Sequence, residues 1–203
     1  MSDGNRAMDD IAFMRALAQE GQASPLRSGP VLLAAGLIFG TTSAGAWAAS
    51  ANRLIVSVWT YPAIYLAASI SFMLVLRALK MRGTAGWNST ANRVSGIAWS
   101  GIGAAIWTMA IALMLMGLHT GDWRVMAAFP SVVFALYGAA WMIAAAISRT
   151  GWLWLVTVAS FGLSLAQGWF STDAGTLYGL FTLGIFAVVA APGLLLTLQA
   201  RRA

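Results

Sequence analysis

The chain has 203 residues, 60% hydrophobic and 9% charged, with a formal net charge of +6 and a mean hydropathy of +0.77. Soluble domains carry about 25% charged residues, so this chain has too little charge to cover a water-facing surface and reads as an integral membrane protein. It contains no cysteine, which excludes disulfides, thiolate metal sites and cysteine nucleophiles.

Residues 1–30 are the polar part. Within them, 9–20 reads DDIAFMRALAQE. Ile11, Met14 and Leu17 recur at helical spacing, with Phe13 beside them, and two aspartates stand where a helix N-terminus favours negative charge. This predicts a short amphipathic cytoplasmic helix. A helix of this length is marginal alone in water, so its apolar stripe needs a surface. Ile11, Phe13, Met14 and Leu17 are therefore the candidate partner-binding residues.

Six apolar segments free of Asp, Glu, Lys, Arg and His follow over 31–203, at 31–51, 57–76, 94–117, 125–147, 152–170 and 177–198. Each is close to the roughly 20 residues needed to cross the hydrocarbon core. The connections are short, so the expected fold is all-α, with six transmembrane helices in a compact antiparallel bundle. The segment 31–46 has the look of a signal sequence with a small-residue cleavage site. The long, partly acidic stretch before it argues for an uncleaved first helix.

Charge sets the expected orientation. The stretch 77–93 holds Arg77, Lys80, Arg82 and Arg93 and no acid. Basic connections stay cytoplasmic. With both termini inside, the inner side also gathers Arg6, Arg15, Arg27, Arg149, Arg201 and Arg202, against only Arg53 and Arg124 outside. An odd number of spans would break this bias. The expectation is a multi-pass protein of the plasma (inner) membrane. Because the basic residues lie between or beside apolar segments, they speak for topology and not for nucleic acid.

Candidate chemistry is sparse. The single histidine, His119, has only Asp122 nearby in sequence, and two ligands do not close a metal site. No carboxylate or histidine lies inside a span to activate a serine or threonine or to relay protons. The expectation is therefore no enzymatic activity, no cofactor and no metal. Asn88-Ser89-Thr90 fits a glycosylation acceptor but falls on the expected cytoplasmic side.

Small residues are abundant. Gly36–Gly40 and Gly175–Gly179 have small-xxx-small spacing, and helix 3 carries Gly96, Ser100, Gly101, Gly103 and Ala104. Small residues let helices approach closely, so helix 3 is expected to lie centrally. Helices 2, 4 and 6 each begin with an aromatic before Pro or Gly: Tyr61-Pro62, Phe129-Pro130 and Tyr178-Gly179. A threefold hairpin repeat would produce that pattern. Most of the ten tryptophans sit near segment ends, as an aromatic belt requires. Trp107 lies near mid-membrane and, with Thr108, is the candidate lining of a ligand pocket.

No motif is specific enough to assign a family. The leading expectation is an accessory or regulatory subunit working through protein–protein contacts in the bilayer, its partner another membrane or cytoplasmic protein or a second copy. The alternative is a passive transporter or a lipid- or amphiphile-binding protein.

Overall fold

The computed structural model describes residues 28–52, 59–81 and 90–202, together with 11, 12 and 57. Among these lie six helices. Helix α1 spans Gly29–Ala51, α2 Thr60–Met81 and α3 Thr90–Thr120. A 3-10 turn, Trp123–Ala128, leads into α4, Phe129–Ser148, followed by α5, Trp152–Trp169. Helix α6 runs Ala174–Arg202. It is π-helical over Phe186–Ala190 and α-helical on either side.

Local chemistry sets the helix ends. Pro30 and Pro130 occupy the first turns of α1 and α4, where the missing N–H costs nothing. Gly121, at a φ of 73°, turns the chain out of α3 in a left-handed conformation that suits glycine. Asp122 then caps the 3-10 turn by accepting from Arg124 N at 2.9 Å. Asp173 caps α6, accepting from Thr176 N at 3.1 Å and from the Thr176 hydroxyl.

The helices run past the charge-free segments. Arg77 and Lys80 lie on α2, and Arg93 lies on α3, so the basic stretch is partly helical. Lysine and arginine are good helix formers, and a cation in the last turn of α2 opposes the negative end of its dipole.

Five of the six helices are long and apolar enough to cross a membrane, which makes this a multi-pass membrane protein. The expected fifth span, α5, is the exception. It has 18 residues, at the short end of what a crossing needs, and its apolar character is diluted by Gln167, Trp152, Trp154 and Trp169. It is nonetheless sewn antiparallel onto α4. Ser131 Oγ donates to Ser164 O, and Ser164 Oγ donates to Ser131 O, each at 2.8 Å.

Helix α6 is the centre of the bundle. Over its most apolar stretch 56% of residues are buried, against 11% for α2 and for α3. Helix α1 lies along its whole length, and glycines make that approach possible. A methyl group at Gly36 would sit 2.4 Å from the Ala190 backbone nitrogen, and one at Gly193 would sit 2.4 Å from the Leu33 nitrogen. Gly40 meets the ring of Phe186, and Gly29 meets Thr197. The Gly36–Gly40 motif therefore packs as its spacing suggests. The second motif divides: Gly179 receives the Trp47 ring, whereas Gly175 meets only the side chain of Asp173.

Helix α3 is not central. It packs on α4 and the 3-10 turn along one side, and a methyl at Gly101 or Gly103 would meet no described residue within 4 Å. The central glycines belong to α1 and α6. A small residue permits close approach but does not dictate that a neighbour is there. Helix α2 likewise leans mainly on α1, through a 2.9 Å hydrogen bond between Ser43 Oγ and Tyr65 Oη and a Phe39–Phe72 ring contact.

Candidate functional site

Of the four expected partner-binding residues, Ile11 is exposed and, with Ala12, helical. Phe13, Met14 and Leu17 lie outside the described residues.

Trp107 and Thr108 are both exposed on α3. They share a face with Ile97, Ser100, Gly101, Ala104 and Ile111, positions that recur three and four residues apart and are all exposed. Ser100, Ala104 and Thr108 fall every fourth residue, a small-xxx-small ladder on an open face, with Gly101 beside it and Trp107, 38% exposed, at its margin. Ser100 Oγ donates to Gly96 O at 2.8 Å, so its proton is satisfied within its own helix.

The opposite face of α3 enters an aromatic interior. The Trp99 ring lies 5.9 Å from Tyr137 and 5.1 Å from Trp141, the latter edge-on. Phe134 contacts Tyr137 and Phe181. Trp141 and Phe134 are completely buried. Trp99 Nε1 and the buried Ser95 Oγ have no hydrogen-bond partner among the described residues. Trp141 Nε1 donates to Val188 O, in the π-helical segment of α6, at 2.8 Å.

Tyr65 and Tyr137 pack against the buried core. Tyr61 stacks on Tyr178 with ring centroids 5.4 Å apart and planes 6° from parallel. Two of the aromatic positions suggested by the hairpin repeat, Tyr61 and Tyr178, thus meet face to face. Gln167 of α5 is also fully buried. In the orientation that satisfies both amide groups, its Oε1 accepts from Phe181 N at 2.8 Å and its Nε2 donates to Leu177 O at 3.3 Å, clamping the first turns of α6.

The structure has a cavity of about 400 Å³ elsewhere, between the second half of α1 and the first half of α2. It is not lined by Trp107 or Thr108.

Ionisable side chains other than tyrosine occur only near helix ends among the described residues. His119 and Asp122 are exposed, and Asp122 is engaged as a cap. The hydroxyl pairs Ser43–Tyr65 and Ser131–Ser164 face no carboxylate or imidazole that would make a nucleophile of them. The sites sequence reasoning missed are Trp141 with Val188 and the Tyr61–Tyr178 stack. Pro192, inside the last apolar segment, was the available signal for the first, because proline leaves the carbonyl four residues earlier without its helical donor. Comparison with protein-family models, with curated proteins and with solved structures finds no match.

Proposed function

We propose that this chain is a non-catalytic accessory or regulatory subunit that docks a transmembrane helix of another membrane protein against α3. The observation that carries the reading is the open ladder of Ser100, Ala104 and Thr108, with no described residue within 4 Å of a methyl group at Gly101. Lipid tails are as apolar as leucine, so association in a bilayer depends on close packing between helices. A helix facing only lipid gains nothing from glycine, which costs about 1 kcal/mol relative to alanine in a helix interior. A helix receiving a neighbour gains close contact. Trp107 supplies a rigid aromatic margin to that contact.

In this reading the protein lies in the plasma (inner) membrane with both termini cytoplasmic. The support is the charge bias. Arg77, Lys80, Arg93, Arg149, Arg201 and Arg202 fall at one end of the helices, and Asp122, Arg124 and Asp173 at the other. The stripe of Ile11, Phe13, Met14 and Leu17 would then provide a second contact on the cytoplasmic side.

The test is purification of the tagged chain at native expression in mild detergent, with mass spectrometry of what accompanies it. Gly101→Leu and Ala104→Leu are expected to lose the associated protein without loss of thermal stability. Deleting residues 1–22 is expected to weaken the same association. Unchanged associates in all three variants would remove the reading. Loss of a second copy alone would make the protein a homo-oligomer and not a subunit of something else.

The alternative, a passive transporter or amphiphile-binding protein, is favoured by one separate observation, the cavity between α1 and α2.

A further inference from the structure

The cleft between α1 and α2 is built by the way both helices are drawn to α6. Trp47 of α1 packs on Gly179, and Tyr61 of α2 stacks on Tyr178. Both contacts pull toward the same turn of α6. Further along, Ser43 and Tyr65 hold α1 and α2 directly together. Beside these contacts lies a space of about 400 Å³ between the two helices, at the lower end of ligand-pocket sizes. Gly45 is part of its lining, and a methyl group there would meet no described residue within 4 Å.

The wall chemistry restricts the occupant. Thr41 and Thr42 line the cleft, but their protons are already committed. Thr41 Oγ1 donates to Leu37 O and Ile38 O at 2.8 and 3.0 Å, and Thr42 Oγ1 donates to Ile38 O at 2.8 Å. Toward a ligand these threonines are acceptors only, since a hydroxyl has one proton and two lone pairs. Thr60 and Tyr61 add two more hydroxyls, and the remaining lining is Gly, Ala and Ile. Among the described residues, none of the lining carries a charge. An ionised headgroup entering membrane depth needs a counter-charge, and the described lining offers none.

We propose that this cleft binds a neutral amphiphile, a slender apolar chain whose uncharged hydroxyl headgroup donates to the threonine oxygens of α1. The site is independent of the α3 docking face. It lies on different helices, and its failure would leave that reading untouched.

The experiment uses the full chain reconstituted in phosphatidylcholine vesicles and photolabelled with diazirine-bearing hexadecanol. Diazirine-bearing hexadecanoic acid, ionised at the working pH, serves as the comparator. Labelling by the alcohol is expected to concentrate on 41–64, to be competed by unlabelled hexadecanol, and to exceed labelling by the acid at the same residues. Gly45→Leu fills the cleft from its lining and is expected to abolish it. Thr41→Val combined with Thr42→Val keeps the shape, removes both α1 acceptors and is expected to bring alcohol labelling down to the level of the acid, which decides the matter even if the leucine variant does not fold. The proposal is overturned if labelling spreads evenly over the exposed helix faces, survives Gly45→Leu in folded protein, or is matched by the ionised acid.

Discussion

The indole of Trp141 reaches from α4 to the backbone of α6 and donates to the carbonyl of Val188 at 2.8 Å. Four residues beyond Val188 stands Pro192, which has no N–H to give that carbonyl. An unpaired backbone group in a membrane costs several kcal/mol, and π-helical turns similarly disturb the regular ladder. The tryptophan supplies a donor that Pro192 cannot, and it ties α4 to the central helix in doing so.

Replacing Trp141 by phenylalanine keeps most of the ring and removes the donor. The expected cost is about 1–3 kcal/mol, the range for orphaning a buried acceptor. Thermal unfolding in detergent measures it. Pro192→Ala restores a backbone N–H, so the cost of Trp141→Phe should be smaller in that background. Equal costs in both backgrounds would mean that Pro192 is not why the indole is needed.

The glycines divide into two groups with opposite expectations. Gly36→Leu drives a side chain into the Ala190 backbone and should destabilise by about 1–3 kcal/mol or more, as overpacking does. Gly101→Leu and Gly103→Leu point into open space and should leave the melting temperature unchanged or slightly raised, because leucine is the better helix former. Strong destabilisation by either α3 variant in the isolated protein would place a neighbour where none is seen.

Asp173 gives the stability a pH dependence of known sign. Hydrogen bonds from the Thr176 side chain and backbone hold its carboxyl below the ordinary carboxylate range. Its contribution is thus present above that range and disappears as pH falls through the depressed value. The melting-temperature gap between wild type and Asp173→Ala should be widest at neutral pH and close in acid. A gap that stays constant would show that the cap acts without its charge.

Orientation is accessible because the chain has no cysteine of its own. Single cysteines at Ala85 and Thr150 should be protected in intact cells from a membrane-impermeant thiol reagent, and those at Thr120 and Thr172 should react. Labelling of Ala85 from outside would reverse the topology.

Helix positions were legible because a bilayer demands long apolar runs, and the ends of the described helices lie within a few residues of the ends of each run. Which helix is central was not legible. In water, a helix advertises its core face by placing polar residues on the other. In a membrane both faces are apolar, so the buried α6 and the exposed α3 look alike in sequence. Small residues were a partial guide, right at Gly36 and Gly40 and wrong at Gly101 and Gly103. Trp107 drew attention by its depth alone. The tryptophans with structural partners at depth, Trp99 and Trp141, are set apart by what they touch, which no periodicity records.

The union of α1 with α6 also bears on how the protein is made. These helices lie far apart in the chain, so α1 enters the membrane well before α6 exists. Until then the strip of α1 bearing Gly29, Gly36 and Gly40 faces lipid or a temporary companion. Contacts between distant parts of a chain form late, and here the late contact organises the bundle. A ribosome stalled before Ala174 would therefore release four or five inserted helices without the one that holds them together, a product with an unfilled seam for membrane quality control to find.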